Sequence, residues 1–176
     1  MRFSLSVDKR RVGKILCYLL LLTAFYVLSA ARGVLYGMGL PTVNAMPFLV
    51  AAIAFFEGPY TGGCMGFYSG LLLSISSSTM EGAETLILAL FGVLCGSVGV
   101  VLLRRILPSV LACGCALLAV RGAISATYYT LFYSVPFLSV AARYAQILLL
   151  SLLPGAAGYF LVRAVYRRFS EDDIWP

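Results

Sequence analysis

Six long apolar segments follow one another along the chain, and short stretches rich in glycine, proline, serine or charge separate them. About 20 mainly apolar residues are enough to cross the hydrocarbon of a bilayer as a helix. The pattern therefore predicts an all-α integral membrane protein with six transmembrane helices, over residues 12–31, 40–56, 60–75, 83–103, 106–128 and 138–166. The first segment exceeds the apolar core of a cleaved signal peptide, about 7–15 residues, so we expect it to be retained as a span.

The second segment differs from the others because Pro41, Asn44 and Pro47 make its start more polar. Proline is tolerated in the first turn of a helix, or at a kink where neighbouring groups satisfy the freed carbonyl. The sequence Glu-Gly-Pro at 57–59 then predicts a tight turn before the third segment. An alternative is that the second and third segments form one re-entrant hairpin, which leaves the distribution of charge across the membrane unchanged.

The composition excludes a soluble enzyme. Apolar residues make up 61% of the 176 residues, and charged residues make up 11%. A typical soluble domain carries about 25% charged residues, so this chain could not cover a water-facing surface of ordinary size. Lipid is the solvent that such a chain requires. Because six spans use most of the length, we expect a single polytopic membrane domain over residues 1–176.

The basic residues lie at the ends of the segments and indicate an orientation. If the N-terminus is cytoplasmic, six spans return the C-terminus to the same side, and ten of the thirteen basic residues then face the cytoplasm. These ten are Arg2, Lys9, Arg10, Arg11, Lys14, Arg104, Arg105, Arg163, Arg167 and Arg168. Cytoplasmic loops carry an excess of Lys and Arg, so we expect a multi-pass protein of the bacterial cytoplasmic (inner) membrane with both termini inside. Anionic lipid headgroups account for the net charge of +6, and we expect no nucleic acid partner.

The sequence lacks the residue sets that are typical of catalysis, metal binding or cofactor binding. It has no histidine and no phosphate-binding loop of the GxxxxGK[ST] kind. The serines near residue 76 have no base to activate them. The five cysteines lie inside apolar runs without a CxxC spacing, which predicts small buried apolar residues. We therefore expect no enzyme, no catalytic residue, no metal and no cofactor.

Two glycine ladders mark the third and fourth segments. Gly62, Gly66 and Gly70 recur at four-residue spacing, and Gly92 and Gly96 repeat that spacing in the next segment. Small residues spaced in this way let two helix backbones approach closely in lipid. We favour packing within the molecule, and an interface with a partner helix is the alternative. If a partner helix binds, we expect only one of the two ladders to face it.

A set of charged residues falls on the predicted outer half of the protein: Arg32, Glu81, Glu84, Arg121 and Arg143. Charges inside a membrane are costly, and they usually pair with one another or line a wet cavity. Arg121 is the deepest of the set, and we predict that a carboxylate holds it, with Glu84 favoured over Glu81. The alternatives are backbone carbonyls, a pocket for an anionic ligand, or an acidic residue of a partner.

Residues 47–105 resemble the rod shape-determining protein MreD family. This stretch contains a proline-initiated apolar helix, the sequence Gly-Phe-Tyr-Ser-Gly-Leu-Leu at 66–72, a polar loop that ends in Gly82, and a long apolar helix with spaced glycines. The rest of the chain is similar in length, hydropathy and its short charged tail. The family usually carries an aspartate just after Gly-Leu-Leu. Here Ser74 stands at about that place, so any function of the carboxylate is absent.

The resemblance implies a non-catalytic scaffold of the bacterial cell-elongation (rod) machinery, which supports peptidoglycan synthesis and cell shape. MreD-like proteins associate with the bitopic membrane protein MreC and, through it, with the MreB filament, a SEDS glycosyltransferase and a class B transpeptidase. The alternative is the substrate-binding S component of an energy-coupling-factor vitamin transporter, which is similar in size and helix number. An S component needs an outer vitamin pocket, and only the outer charges and the aromatic cluster at 128–133 could supply it.

Overall fold

The computed structural model describes residues 9–31, 44–76, 82–101, 107–133 and 136–170, which fold into six α-helices. The helices are α1 (Lys9–Ala31), α2 (Met46–Glu57), α3 (Pro59–Ser76), α4 (Ala83–Val101), α5 (Leu107–Tyr133) and α6 (Phe137–Ser170). The predicted all-helical architecture is confirmed, and in five of the six predicted segments both the first and the last residue lie within five residues of the helix bounds. The second helix is shorter than predicted, because it begins at Met46 instead of residue 40. Part of that predicted start, residues 40–43, lies outside the described residues.

Three of the helices are long and apolar enough to cross a membrane: α1, α5 and α6, over Arg11–Ser29, Leu107–Phe132 and Phe137–Phe169. Met46–Glu57 in α2 and Ala83–Gly99 in α4 are shorter apolar helices. Large apolar side chains are exposed on the outside of the bundle, among them Ile75, Leu131, Leu138 and Leu153. A surface of this kind is stable against lipid and not against water, so the fold is that of a membrane protein.

The centre of the bundle is α2, in which every residue from Met46 to Phe56 is buried. Its sequence has no polar side chain before Glu57, so no face of the helix needs water and the helix can be covered on all sides. The other five helices cover it, since each packs against α2. Pro47 lies in the first turn, where its fixed φ suits a helix start. Gly58, with φ of 92°, ends the helix in the predicted tight turn, and its N–H donates to the Ala54 carbonyl at 2.9 Å.

The two glycine ladders pack against each other along α3 and α4. A Cβ added at Gly62 would lie 2.7 Å from the carbonyl oxygen of Gly92, and one added at Gly96 would lie 2.5 Å from the Cα of Pro59. Gly66 and Gly70 meet the α4 backbone in the same way, at Leu88–Ala89 and at Thr85. Packing within the molecule is therefore confirmed for both ladders. The expectation that one ladder would face a partner is wrong. Both ladders lie in the same interface, because glycines at equal spacing on two antiparallel helices let the two backbones approach each other closely.

The five outer helices form an incomplete ring around α2. Among the described residues, α4 packs on α3, α3 on α1, α1 on α6, and α6 on α5. The two ends of this series, α4 and α5, both pack on α2 but make little direct contact with each other. Within the part of the chain that the structure describes, the ring is therefore open at a seam between α4 and α5.

The cysteines are less uniformly buried than predicted. Cys95 is buried, and Cys17, Cys113 and Cys115 are half-buried, but Cys64 is exposed. Cys64 lies two residues from Gly62 and from Gly66, so a turn of about 100° per residue places it on the face opposite the glycine ladder. The prediction is wrong for this one residue because α3 turns only its glycine face toward α4.

Candidate functional site

The first candidate site is an ion pair between α4 and α5, beside the Pro47 end of α2. Nη2 of Arg121 donates to Oε1 of Glu84 in a short contact. Glu84 lies in the first turn of α4 and is 8% exposed, and the positive end of the helix dipole there favours a carboxylate. The predicted pairing of Arg121 with Glu84 is thus confirmed. The pair bridges the open seam of the ring.

A narrow cleft surrounds this pair, and its other lining residues are Pro47, Ile87, Leu88, Leu117, Ile124 and Ser125. The volume of the cleft is about 20 Å³, which is about the space that one water molecule needs. Pockets for drug-sized ligands measure about 300–1,000 Å³. This cleft can therefore hold a water or the tip of one side chain, but not a vitamin.

One nitrogen of Arg121 has no partner within the part of the chain that the structure describes. Nη1 is buried and makes no hydrogen bond there, although Nη2 is paired with Glu84. A buried donor left unpaired costs about 1–3 kcal/mol. Nη1 is therefore one hydrogen bond short within the described residues, although the same guanidinium forms an ion pair.

A second ion pair lies at the Glu57 end of α2. Nζ of Lys14 is 2.6 Å from Oε1 of Glu57, and the Tyr18 hydroxyl donates to the same oxygen at 3.0 Å. The Lys14 ammonium also lies 4.5 Å from the centroid of the Tyr166 ring, a distance typical of a cation–π interaction. The Phe56 ring packs on Tyr166, with centroids 5.1 Å apart. This cluster joins α1, α2 and α6, and each charged group in it has two partners.

Sequence reasoning missed this second cluster. Lys14 was grouped with the basic residues that precede the first span, and Glu57 was assigned only to a turn. One signal could have found it, because Lys14 and Tyr18 are four residues apart and share a helix face. A carboxylate at the end of an otherwise apolar helix needs such a face as its neighbour.

The other predicted site residues do not join either cluster. Arg143 is exposed on α6, while Arg32 and Glu81 lie outside the described residues. Ser74 has its Oγ 3.0 Å from Oγ1 of Thr85 and so links α3 to α4 beside the glycine ladders. Within the described ranges, no group of three His, Cys, Asp or Glu residues could hold a metal ion.

No family model, no curated protein and no solved structure matches this chain. The likeness of residues 47–105 to MreD therefore rests on their motif alone. The structure adds that the motif forms a close-packed unit of α2, α3 and α4, in which the glycines have a defined packing function.

Proposed function

We propose that this protein is a non-catalytic scaffold of the bacterial rod machinery, which holds the single transmembrane helix of an MreC-like partner and thereby supports peptidoglycan synthesis and cell shape. The observation that carries the proposal is the seam between α4 and α5, two helices that both pack on α2, expose apolar side chains and make little direct contact with each other within the described residues. An apolar seam in lipid is a surface on which another helix can pack. The resemblance of residues 47–105 to MreD identifies the class of partner.

The packing of α3 and α4 suits a scaffold. Gly62 and Gly92 let the two backbones meet without intervening side chains. Such a contact has few rotamers to rearrange, so α4 keeps a fixed position relative to α2 and α3. A scaffold needs a rigid surface on which a partner helix can pack, and α4 supplies such a surface.

The proposed topology is six spans with both termini in the cytoplasm of the inner membrane. It is supported by the ten basic residues that fall on one side under this arrangement. Single cysteines placed at Ser78 and Ser134, in a protein from which the five native cysteines are removed, should react with an impermeant maleimide from outside the cell. Cysteines at Arg105 and Ser170 should react only after the cells are permeabilised. External labelling at Arg105 would refute the topology.

The function is tested by depletion in a rod-shaped host together with affinity purification in mild detergent. We expect depleted cells to become round, vitamin uptake to be unchanged, and the host's MreC-like protein to co-purify. A vitamin that co-purifies at nanomolar affinity, together with two ABC ATPases and loss of uptake in cells that keep their shape, would establish the transporter component instead.

A further inference from the structure

Two cysteines face each other across the seam between α4 and α5. Cys95 lies on α4 and is 3% exposed, and Cys113 lies on α5 and is half-buried. A hydrogen bond joins the two thiols, so their sulfur atoms are in contact. Because α4 and α5 make little other direct contact within the described residues, this thiol pair is a link between two helices that are otherwise held together through α2.

The positions of the two cysteines along their helices agree with this contact. Cys95 follows Glu84 by eleven residues, close to three full turns, so the two share a face of α4. Cys113 precedes Arg121 by eight residues and lies on the same broad face of α5. Consecutive helices joined by a short connection run antiparallel. The faces that pair Glu84 with Arg121 therefore meet again about 12–16 Å further along, where the two cysteines lie.

The surroundings of the pair decide which oxidants can reach it. Cys95 belongs to the buried core around α2, and Cys113 packs against that core from the candidate span Leu107–Phe132. A polar oxidant incurs a large desolvation cost in such a place, whereas a quinone with an alkyl chain dissolves in hydrocarbon. Quinones also serve as the final oxidants of protein thiols in bacteria. The class of oxidant that fits this site is therefore a lipid-soluble quinone.

We propose that Cys95 and Cys113 form a redox-sensitive pair, which a lipid-soluble quinone oxidises to a disulfide that ties α4 to α5. Two S–H bonds break and one S–S bond forms, and the two protons and two electrons reduce the quinone to its quinol. Cys113 meets the oxidant because it is the more exposed of the two, and the adjoining Cys95 sulfur completes the bond. The pair is a property of the helical bundle and does not depend on the proposed scaffold function.

Oxidation changes how α4 and α5 are held together. A disulfide holds two Cα atoms about 4.4–6.8 Å apart, which a contact between two thiols does not enforce. The bond also closes a loop of chain from residue 95 to residue 113, and such a cross-link stabilises a fold mainly by restricting the unfolded chain. We therefore expect the oxidised protein to have a closed seam at this level and to unfold at a higher temperature than the reduced protein.

Quinone treatment of the full-length protein in liposomes tests the pair. A specific protease site is inserted after Arg105, between α4 and α5 in the sequence. The protein is incubated with a fully substituted benzoquinone that carries a short alkyl chain, then alkylated and cleaved. We expect the two halves to remain joined on a non-reducing gel and to separate after dithiothreitol. The midpoint of thermal unfolding should rise by roughly 5–10 °C on oxidation.

Three alanine variants identify the sulfurs without adding a polar group to the core. Cys95→Ala and Cys113→Ala should each release the halves after the same treatment, and neither should show the rise in unfolding temperature. Cys115→Ala is the matched control, because Cys115 lies two residues from Cys113 and about 200° around α5. Its halves should remain joined as in the wild type.

The other outcomes each overturn a stated part of the proposal. Halves that separate after copper phenanthroline as well as after the quinone would show that the two sulfurs do not meet. A bond formed by copper phenanthroline but not by the quinone would refute the oxidant. Release of the halves by Cys115→Ala instead of Cys113→Ala would assign the bond to the wrong cysteine. An unchanged unfolding temperature would show that the disulfide does not tie the helices. A disulfide in a protein that binds no MreC-like partner would overturn the scaffold function alone.

Discussion

The two ends of α2 carry one ion pair each, and the pairs differ in how completely they are satisfied. At the Glu57 end, the carboxylate accepts from both Lys14 and Tyr18, and the Tyr166 ring covers the ammonium. At the Pro47 end, Arg121 reaches Glu84 with one nitrogen, and the other nitrogen is buried without an acceptor among the described residues. The first pair is closed and joins three helices, whereas the second lies in an open seam.

The difference indicates a division of functions along one helix. Buried ion pairs contribute to a defined structure only where further hydrogen bonds satisfy the remaining donors and acceptors. The Glu57 end meets this condition within the molecule. At the Arg121 cleft, Nη1 of Arg121 would need one additional acceptor for this condition to be met. We therefore expect substitutions at the Glu57 end, where each charged group has two partners, to change the stability of the protein.

The largest effect is expected from Gly66→Leu. The substitution displaces α4, which carries Glu84, and so disrupts the Arg121–Glu84 pair as well as the packing of α3 on α4. A Cβ at residue 66 would lie 2.9 Å from the carbonyl carbon of Leu88, so the two backbones must separate. We expect a loss of more than about 4 kcal/mol, seen as aggregation in size-exclusion chromatography in detergent. Ala119→Leu, on an exposed position of α5, is the matched control and should elute normally. A monodisperse Gly66→Leu protein of unchanged thermal stability would contradict the packing.

The next effect is expected from Arg121→Glu, which places two carboxylates in the open seam. A charge at this depth without a counter-ion costs about 2.5–3.5 kcal/mol on insertion scales, so the variant should fail to accumulate in membranes. Adding Glu84→Arg restores an opposite pair and should recover part of the wild-type level, as measured by immunoblotting of membrane fractions. Equal levels of the single and double variants would show that the two side chains do not depend on each other.

A smaller effect is expected from Lys14→Met at the closed end. The substitution keeps an unbranched side chain of similar length but leaves Glu57 without its counter-ion. Breaking a buried pair costs on the order of 3 kcal/mol, so the midpoint of thermal unfolding in detergent should fall clearly. Lys14→Met combined with Glu57→Gln removes both charges and should recover part of the loss. If Lys14→Met alone unfolds at the wild-type temperature, the closed end does not stabilise the bundle.

The smallest effect is expected from Tyr18→Phe, which removes one hydrogen bond from the closed end and keeps the ring. Loss of a single hydrogen bond to a charged group changes the free energy of unfolding by about 1.5–3 kcal/mol, and Lys14 continues to hold Glu57, so we expect the lower part of that range. Tyr60→Phe is the control, because Tyr60 is 91% exposed. Equal unfolding temperatures for the two variants would show that the Tyr18 hydroxyl contributes nothing.

Much of the fold follows from local properties of the sequence. Apolar runs of limited length define the helices. Charged residues inside or beside such runs are few, so a counter-charge for Arg121 could be sought among a small number of carboxylates, of which Glu84 was favoured. Hydropathy does not determine which helix lies at the centre, because α2 differs from a lipid-facing helix only in what surrounds it. The Lys14–Glu57 pair was missed for this reason. The sequence also did not determine which helix the glycine ladders contact, since the same spacing suits a neighbouring helix of this chain and a helix of another protein.

The burial of α2 has a consequence for how the protein responds to its lipids. The 12 residues of α2 span about 18 Å, well short of a hydrocarbon layer of about 30 Å. Lipid-facing helices adapt to a thicker or thinner bilayer by tilting. Because no side chain from Met46 to Phe56 reaches the outside, a change in acyl-chain length acts on α2 only through its neighbours. The central helix is shorter than every helix around it, and the protein's centre is shielded from variation in lipid composition.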